Sequence, residues 1–108
     1  MNKLFFDGYG YYKTEETALN RALDGLMETI QHECLEFIFE RIEIQKYDDK
    51  KNELFFEGFG FFKTSESEIN NSIDKLMDVL QDKNIDFTII KTTLCDQNEN
   101  IIEEINPF

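Results

Sequence analysis

The pattern of apolar and polar positions divides the chain into four strand-like and two helix-like segments. From Leu4 to Tyr12 large apolar residues and glycines fill all positions but one. Asp7, and Lys13 just beyond, share a face with Phe5, Tyr9 and Tyr11, because successive strand side chains point to opposite sides. The other face carries Leu4, Phe6, Gly8, Gly10 and Tyr12. A buried unpaired carboxylate is costly, so the face without Asp7 is predicted to pack on the core. Its glycines are expected to let a helix approach closely. Leu54 to Phe62 repeats the pattern, with Glu57 and Lys63 outward. Two more strands are predicted at about Leu35–Ile44 and Ile85–Leu94. Leu35, Phe37 and Phe39, like Ile85, Phe87 and Ile89, should face the core. Glu36, Ile38, Glu40 and Ile42 share the opposite face, as do Asp86, Thr88, Ile90 and Thr92.

Between these strands the period becomes helical. Leu19, Leu23, Leu26 and Ile30, with Ala18 and Ala22 beside them, form one stripe. Ile69, Ile73, Leu76 and Leu80 form the other. Both are expected to be core. Thr14 is the expected N-cap of the first helix, with Glu15 and Glu16 in its first turn. The second helix is expected to start near Thr64 or Ser65, where Ser65 and Glu68 fit a capping box. The polar segment from Lys46 to Asn52 reads as a hairpin turn. After a turn over Asp96–Asn100, Ile101, Ile102, Ile105 and Phe108 suit either a short strand or a turn of helix.

The segments recur at an offset of 50 residues: Leu4–Thr14 aligns with Leu54–Thr64 through conservative differences, and the match runs on without a gap to Phe37 and Phe87. A fixed-period match of this quality marks an internal repeat. The expected fold is α+β, one domain over 1–108, with repeat one at about 3–46, repeat two at about 53–96 and an extension at 97–108. The order βαββαβ, with right-handed crossovers and a central hairpin, resembles the ferredoxin-like sandwich. That resemblance implies a four-stranded antiparallel sheet, two helices on one face, and the first and third strands at its centre.

Charge narrows the function classes. The net charge is −12, divided as −4 up to residue 52 and −8 after it. Such a field repels nucleic-acid phosphates and anionic membranes and favours basic partners. No apolar run approaches the roughly 18 residues that span a bilayer, and Met1-Asn2-Lys3 leads directly into a strand, so a cytoplasmic location is expected. Cys34 and Cys95 lack metal or redox spacing and read as reduced, partly buried apolar side chains. His32 reads as a surface residue near a helix end. Gly8-x-Gly10 and Gly58-x-Gly60 lie inside strands and lack the third glycine of a dinucleotide loop. Asp7 and Glu57, neighbours on adjacent strands, are the one carboxylate pair with catalytic potential, and they read as charge-paired with Lys13, Lys63 or a partner's cation. No catalytic residue, metal site or cofactor is expected, and the chain reads as a protein that acts by binding.

Two surfaces are candidates. The outward sheet face gathers Phe5, Tyr9, Tyr11, Phe55, Phe59 and Phe61 around Asp7 and Glu57, flanked by Ile38, Ile42 and Ile90. Even half-exposed, these aromatics form a patch of about 500 Å² or more, at the upper end for a monomer. A second copy, a protein or C-terminal segment, or stacked nucleobases or another flat ligand could cover it. Gly58-Phe59-Gly60-Phe61-Phe62 resembles the RNP1 segment of RNA-recognition motif domains, which implies bases stacking on Phe59 and Phe61. Glu57 stands where that family has a basic residue, and the chain is acidic where such domains are basic. The second surface is an acidic helix face of Glu15, Glu16, Asp24, Glu28, Glu66, Asp74, Asp78 and Asp82, suited to a basic groove that otherwise holds nucleic acid. In style the chain is similar to small acidic phage anti-defence proteins, anti-CRISPR proteins among them. That similarity implies a non-enzymatic inhibitor or adaptor with a basic protein partner in the cytoplasm of a bacterial or phage-infected cell; a homodimer is expected through the aromatic face, and a purely structural homodimer is the alternative.

Overall fold

The computed structural model describes residues 1–31, 35–46, 52–82 and 85–106. His32, Cys34, Phe108 and the centre of the Lys46–Asn52 turn lie outside them. The elements run β1 (Asn2–Thr14), α1 (Leu19–Gln31), β2 (Leu35–Lys46), β3 (Asn52–Thr64), α2 (Ile69–Asp82), β4 (Ile85–Cys95) and β5 (Ile101–Ile105). The protein is α+β, with two helices and one five-stranded antiparallel sheet in the order β2-β3-β1-β4-β5. The expectation of four strands is corrected by β5, which pairs with the free side of β4.

Asp96 directs that fifth strand. Its carboxylate accepts the backbone N–H groups of Asn98 at 2.8 Å and Asn100 at 2.9 Å, turning the chain back along β4. Glu99 completes the turn in the left-handed region at φ 65°. Across the strand, Ile105 packs against the core, and Glu103 accepts the Ile69 N–H at the start of α2 at 3.3 Å.

Leu4, Phe6, Leu54, Phe56 and Phe62 from the central strands form one buried cluster with Leu26 and Ile30 of α1 and Leu76 and Leu80 of α2. Face assignment therefore follows the cost of burying charge, since Asp7, Lys13 and Lys63 are exposed. Both helix stripes are core-facing, except that Leu19 at the start of α1 is 47% exposed and Ala18, just before the helix, is exposed too, because the helix starts later than expected.

The helices begin later than the capping signals suggested. Thr14 and Thr64 end their strands, and each hydroxyl accepts a backbone N–H two residues on, from Glu16 and Glu66 at 3.1 Å. These side-chain turns compete with capping. Glu15, Glu16 and Ser65 therefore precede the helices. The carbonyls of Ala18 and Glu68 accept the first helical bonds.

The glycines face the core, but aromatic rings rather than helices occupy the space above them. A Cβ on Gly58 would collide with the Ile38 carbonyl and the Phe37 ring, and one on Gly8 would meet the Thr88 carbonyl and lie 2.8 Å from the Phe87 ring. Phe37 and Phe87 reach over the central strands to Phe6 and Phe56, with ring centroids 5.3–5.9 Å apart. Phenylalanines of β2 and β4 thus fill the volume that the central glycines leave open.

Two bulges decide the outer strands. In β2 the register passes from Phe39 opposite Gly58 to Arg41 opposite Glu57, leaving Glu40 extra. In β4 it passes from Ile89 opposite Gly8 to Lys91 opposite Asp7, leaving Ile90 extra. Glu40 and Ile90 are 50 residues apart, so the bulge occupies the same place in both copies. An extra residue reverses the facing of everything after it. Ile42 and Thr92, expected outward, therefore face the core: Ile42 packs on it, and Thr92 is 1% exposed.

Candidate functional site

The outer face of the sheet is built from β1 and β3. Their register sets Phe5 opposite Phe61 and Tyr11 opposite Phe55, and their ring centroids are 5.8 Å and 5.2 Å apart. These two pairs exchange under the 50-residue offset, and Gly8 opposite Gly58 lies midway between them. Tyr9 adds a third ring 6.1 Å from Phe55. At the middle of the face Phe59 stands opposite Asp7, and Tyr9 opposite Glu57. All eight residues expected on this face are brought together on it.

The exposed apolar surface is more localised than the residue types implied. Five of the six rings are half-buried, because neighbours pair and cations lie over them. The Lys3 ammonium is 5.2 Å from the centre of the Phe61 ring, and the Arg41 guanidinium 5.4 Å from that of Phe55. Phe59 remains 41% exposed, and Ile38 beside it in the register 59%. Two shallow depressions flank Phe59. One, about 210 Å³, is lined by Phe5, Asp7, Lys91 and Thr93; the other, about 180 Å³, by Glu36, Ile38 and Phe61.

Charges on this face are mixed. Alternation and register place Lys3, Lys13, Arg41, Lys63 and Lys91 here, with Asp7, Glu36, Glu40, Glu43, Glu53, Glu57, Asp86 and Glu104. Asp7 faces Lys91 in the register, and Glu57 faces Arg41, the same acid–cation step in both copies. The cations are drawn to the rim instead, where Lys91 pairs with Glu104 at 3.2 Å and Arg41 with Glu43 at 3.4 Å. Neither Lys13 nor Lys63, expected as partners for Asp7 and Glu57, stands opposite them; Lys13 faces Glu53, and Lys63 faces Lys3. The bulges that bring Arg41 and Lys91 into these positions carry no local sequence signal, so sequence reasoning missed both residues.

The helix layer has the opposite balance. Asp24 and Glu28 on α1, and Asp74, Asp78 and Asp82 on α2, are all exposed and four residues apart along their helices. Such spacing sets carboxylates about 6 Å apart along the axis on one side of each helix. Glu15 is exposed in the turn before α1. Glu16 and Glu66 are tied into local structure: the Glu16 carboxylate accepts the Ala18 N–H at 3.2 Å, and Glu66 pairs with Lys75 at 3.0 Å. The eight expected acids thus divide into six open carboxylates and two that shape the helix entries.

Burial pushes the Cys95 thiol up, and the Asp96 and Glu99 charges push it further the same way, which disfavours the nucleophilic thiolate. Among the described residues no group of three or more His, Cys, Asp or Glu side chains is placed to hold a metal, and no helix is long and apolar enough to cross a membrane. No family model, curated protein or solved structure matches the chain.

Proposed function

We propose that this protein acts by binding rather than by catalysis, and that its acidic helix layer occupies a basic groove of a nucleic-acid-binding protein. In this reading the architecture is a duplicated ferredoxin-like βαββαβ sandwich with β5 added at its edge, and its two helices serve as anionic ladders. One observation carries it: Asp24, Glu28, Asp74, Asp78 and Asp82 are exposed on a layer whose only described cations within the helices are Arg21 and Lys75. A ladder of carboxylates on a rigid helix offers a basic groove what a phosphate backbone offers, without sequence information. Blocking such a groove is also what a small phage anti-defence inhibitor needs to do.

The test is displacement. A labelled oligonucleotide is bound to each of several purified basic nucleic-acid-binding proteins, and its anisotropy is followed as this protein is added. Displacement should weaken steeply with salt. It should be lost in a variant carrying Asp24→Asn, Glu28→Gln, Asp74→Asn, Asp78→Asn and Asp82→Asn whose circular dichroism is unchanged. Equal displacement by wild type and variant would refute the proposal.

A further inference from the structure

The outer sheet face differs from the rest of the molecule in charge, shape and composition. Lys3, Lys13, Arg41, Lys63 and Lys91 lie on it against eight carboxylates, so it holds a smaller share of the chain's net charge of −12 than the helix layer does. The helices and the turns leading into them hold most of the remaining charge. A second copy approaching from the helix side meets strong like-charge repulsion, whereas one approaching from the sheet side meets less, because cations are interspersed among the acids there.

Area points the same way. The 13-residue central strands and the width of five strands give a footprint of roughly 40 by 20 Å, or about 800 Å². A stable interface of standard size buries about 800 Å² on each partner. Phe59 and Ile38 supply an exposed apolar centre, the half-buried rings extend it along the strands, and the ion pairs of Arg41 and Lys91 lie at its rim. Apart from Asp7 and Glu57, an apolar centre thus lies inside a polar rim, the usual anatomy of an interface.

We infer that two copies of this chain pack sheet against sheet in an isologous dimer, with both acidic helix layers facing outward. An isologous contact needs a self-complementary patch, because each residue meets the other copy's version of the same surface. This face carries both the acids and the cations that such a contact would set against each other. Its central carboxylates, Asp7 and Glu57, are flanked in the register by Lys91 and Arg41, so an offset copy sets cations against acids. The dimer doubles the number of acidic ladders, and their opposite orientation lets one particle engage two basic surfaces.

Light scattering behind size exclusion, on the full chain from micromolar to millimolar concentration, tests this directly. The expected mass is about twice 12.8 kDa. Ile38→Arg with Phe59→Arg should halve it, while Asp74→Lys with Asp78→Lys on the helix layer should leave it unchanged. Far-UV circular dichroism checks the fold of each variant. If the sheet variant unfolds, Ile38→Arg alone carries the test, since Ile38 is the more exposed of the two. A wild-type monomer at every concentration overturns the proposal, and so does a dimer indifferent to the sheet substitutions. A monomer whose Tyr9 and Tyr11 fluorescence is quenched by single-stranded oligonucleotide also overturns it and assigns the face to nucleobases. Each result is independent of the displacement assay, because the helix carboxylates are untouched in the sheet variants.

Discussion

Thr92 offers the sharpest test of the packing. It lies on the core side of β4, 1% exposed, and its hydroxyl has no hydrogen-bond partner among the described residues. The equivalent position in the first copy is Ile42, an apolar side chain packed on the same core. The bulge at Ile90 turns Thr92 inward, so the hydroxyl is a consequence of register rather than of a polar environment. A buried hydroxyl without a partner costs about 1–3 kcal/mol. Thr92→Val keeps the branched shape and replaces the oxygen by a methyl group, and should stabilise the fold by about 1–2 kcal/mol. For a chain of this size that is a rise in Tm of roughly 5–10 °C. Urea unfolding should show a higher midpoint at an unchanged slope, since the surface exposed on unfolding is nearly the same. Thr93→Val is the control, because Thr93 is opposite Phe5 on the outer face and should change Tm little. A Thr92→Val protein that melts at or below wild type would refute the core placement of Thr92, and with it the bulge.

Two other outcomes rest on single residues. A Cβ added at Gly25 in α1 would meet only the Tyr12 hydroxyl, at 3.8 Å, so Gly25→Ala should stabilise the helix by about 0.5–1 kcal/mol; Gly58→Ala, which collides with the Ile38 carbonyl and Phe37 ring, should destabilise by about 1–3 kcal/mol or more, and denaturant melts showing similar effects for both would contradict the ring-over-glycine packing. The Asn100 and Asn98 N–H groups hold the Asp96 carboxyl below the usual carboxylate range. Its contribution to the β4–β5 turn is therefore present above the ordinary carboxylate pKa and lost as pH falls through the lowered folded value. The Asn98 and Asn100 amide resonances should titrate below the ordinary aspartate range, and a midpoint at or above it would contradict the turn.

Much of this protein was legible along the chain. The hydrophobic pattern, recurring at an offset of 50 residues, predicted the order of the first six elements as the structure has it. The facing of β1 and β3 followed from Asp7, Glu57 and the terminal lysines, because burying an unpaired charge costs far more than exposing an aromatic ring. For the same reason the gathering of Phe5, Tyr9, Tyr11, Phe55, Phe59 and Phe61 on one surface could be read from the residues alone. Tertiary structure alone decided the rest. A bulge is a property of two paired strands, so nothing local in β2 or β4 announces that Glu40 and Ile90 are extra, or that Ile42 and Thr92 turn inward after them. The helix starts depended on whether Thr14 and Thr64 would cap or turn, two uses of one hydroxyl that sequence leaves equivalent. The isoleucines near the C-terminus suited either a strand or a helix until the free side of β4 supplied a partner. In each case the deciding contact comes from backbone distant in sequence, or from a competition that only the packed chain resolves.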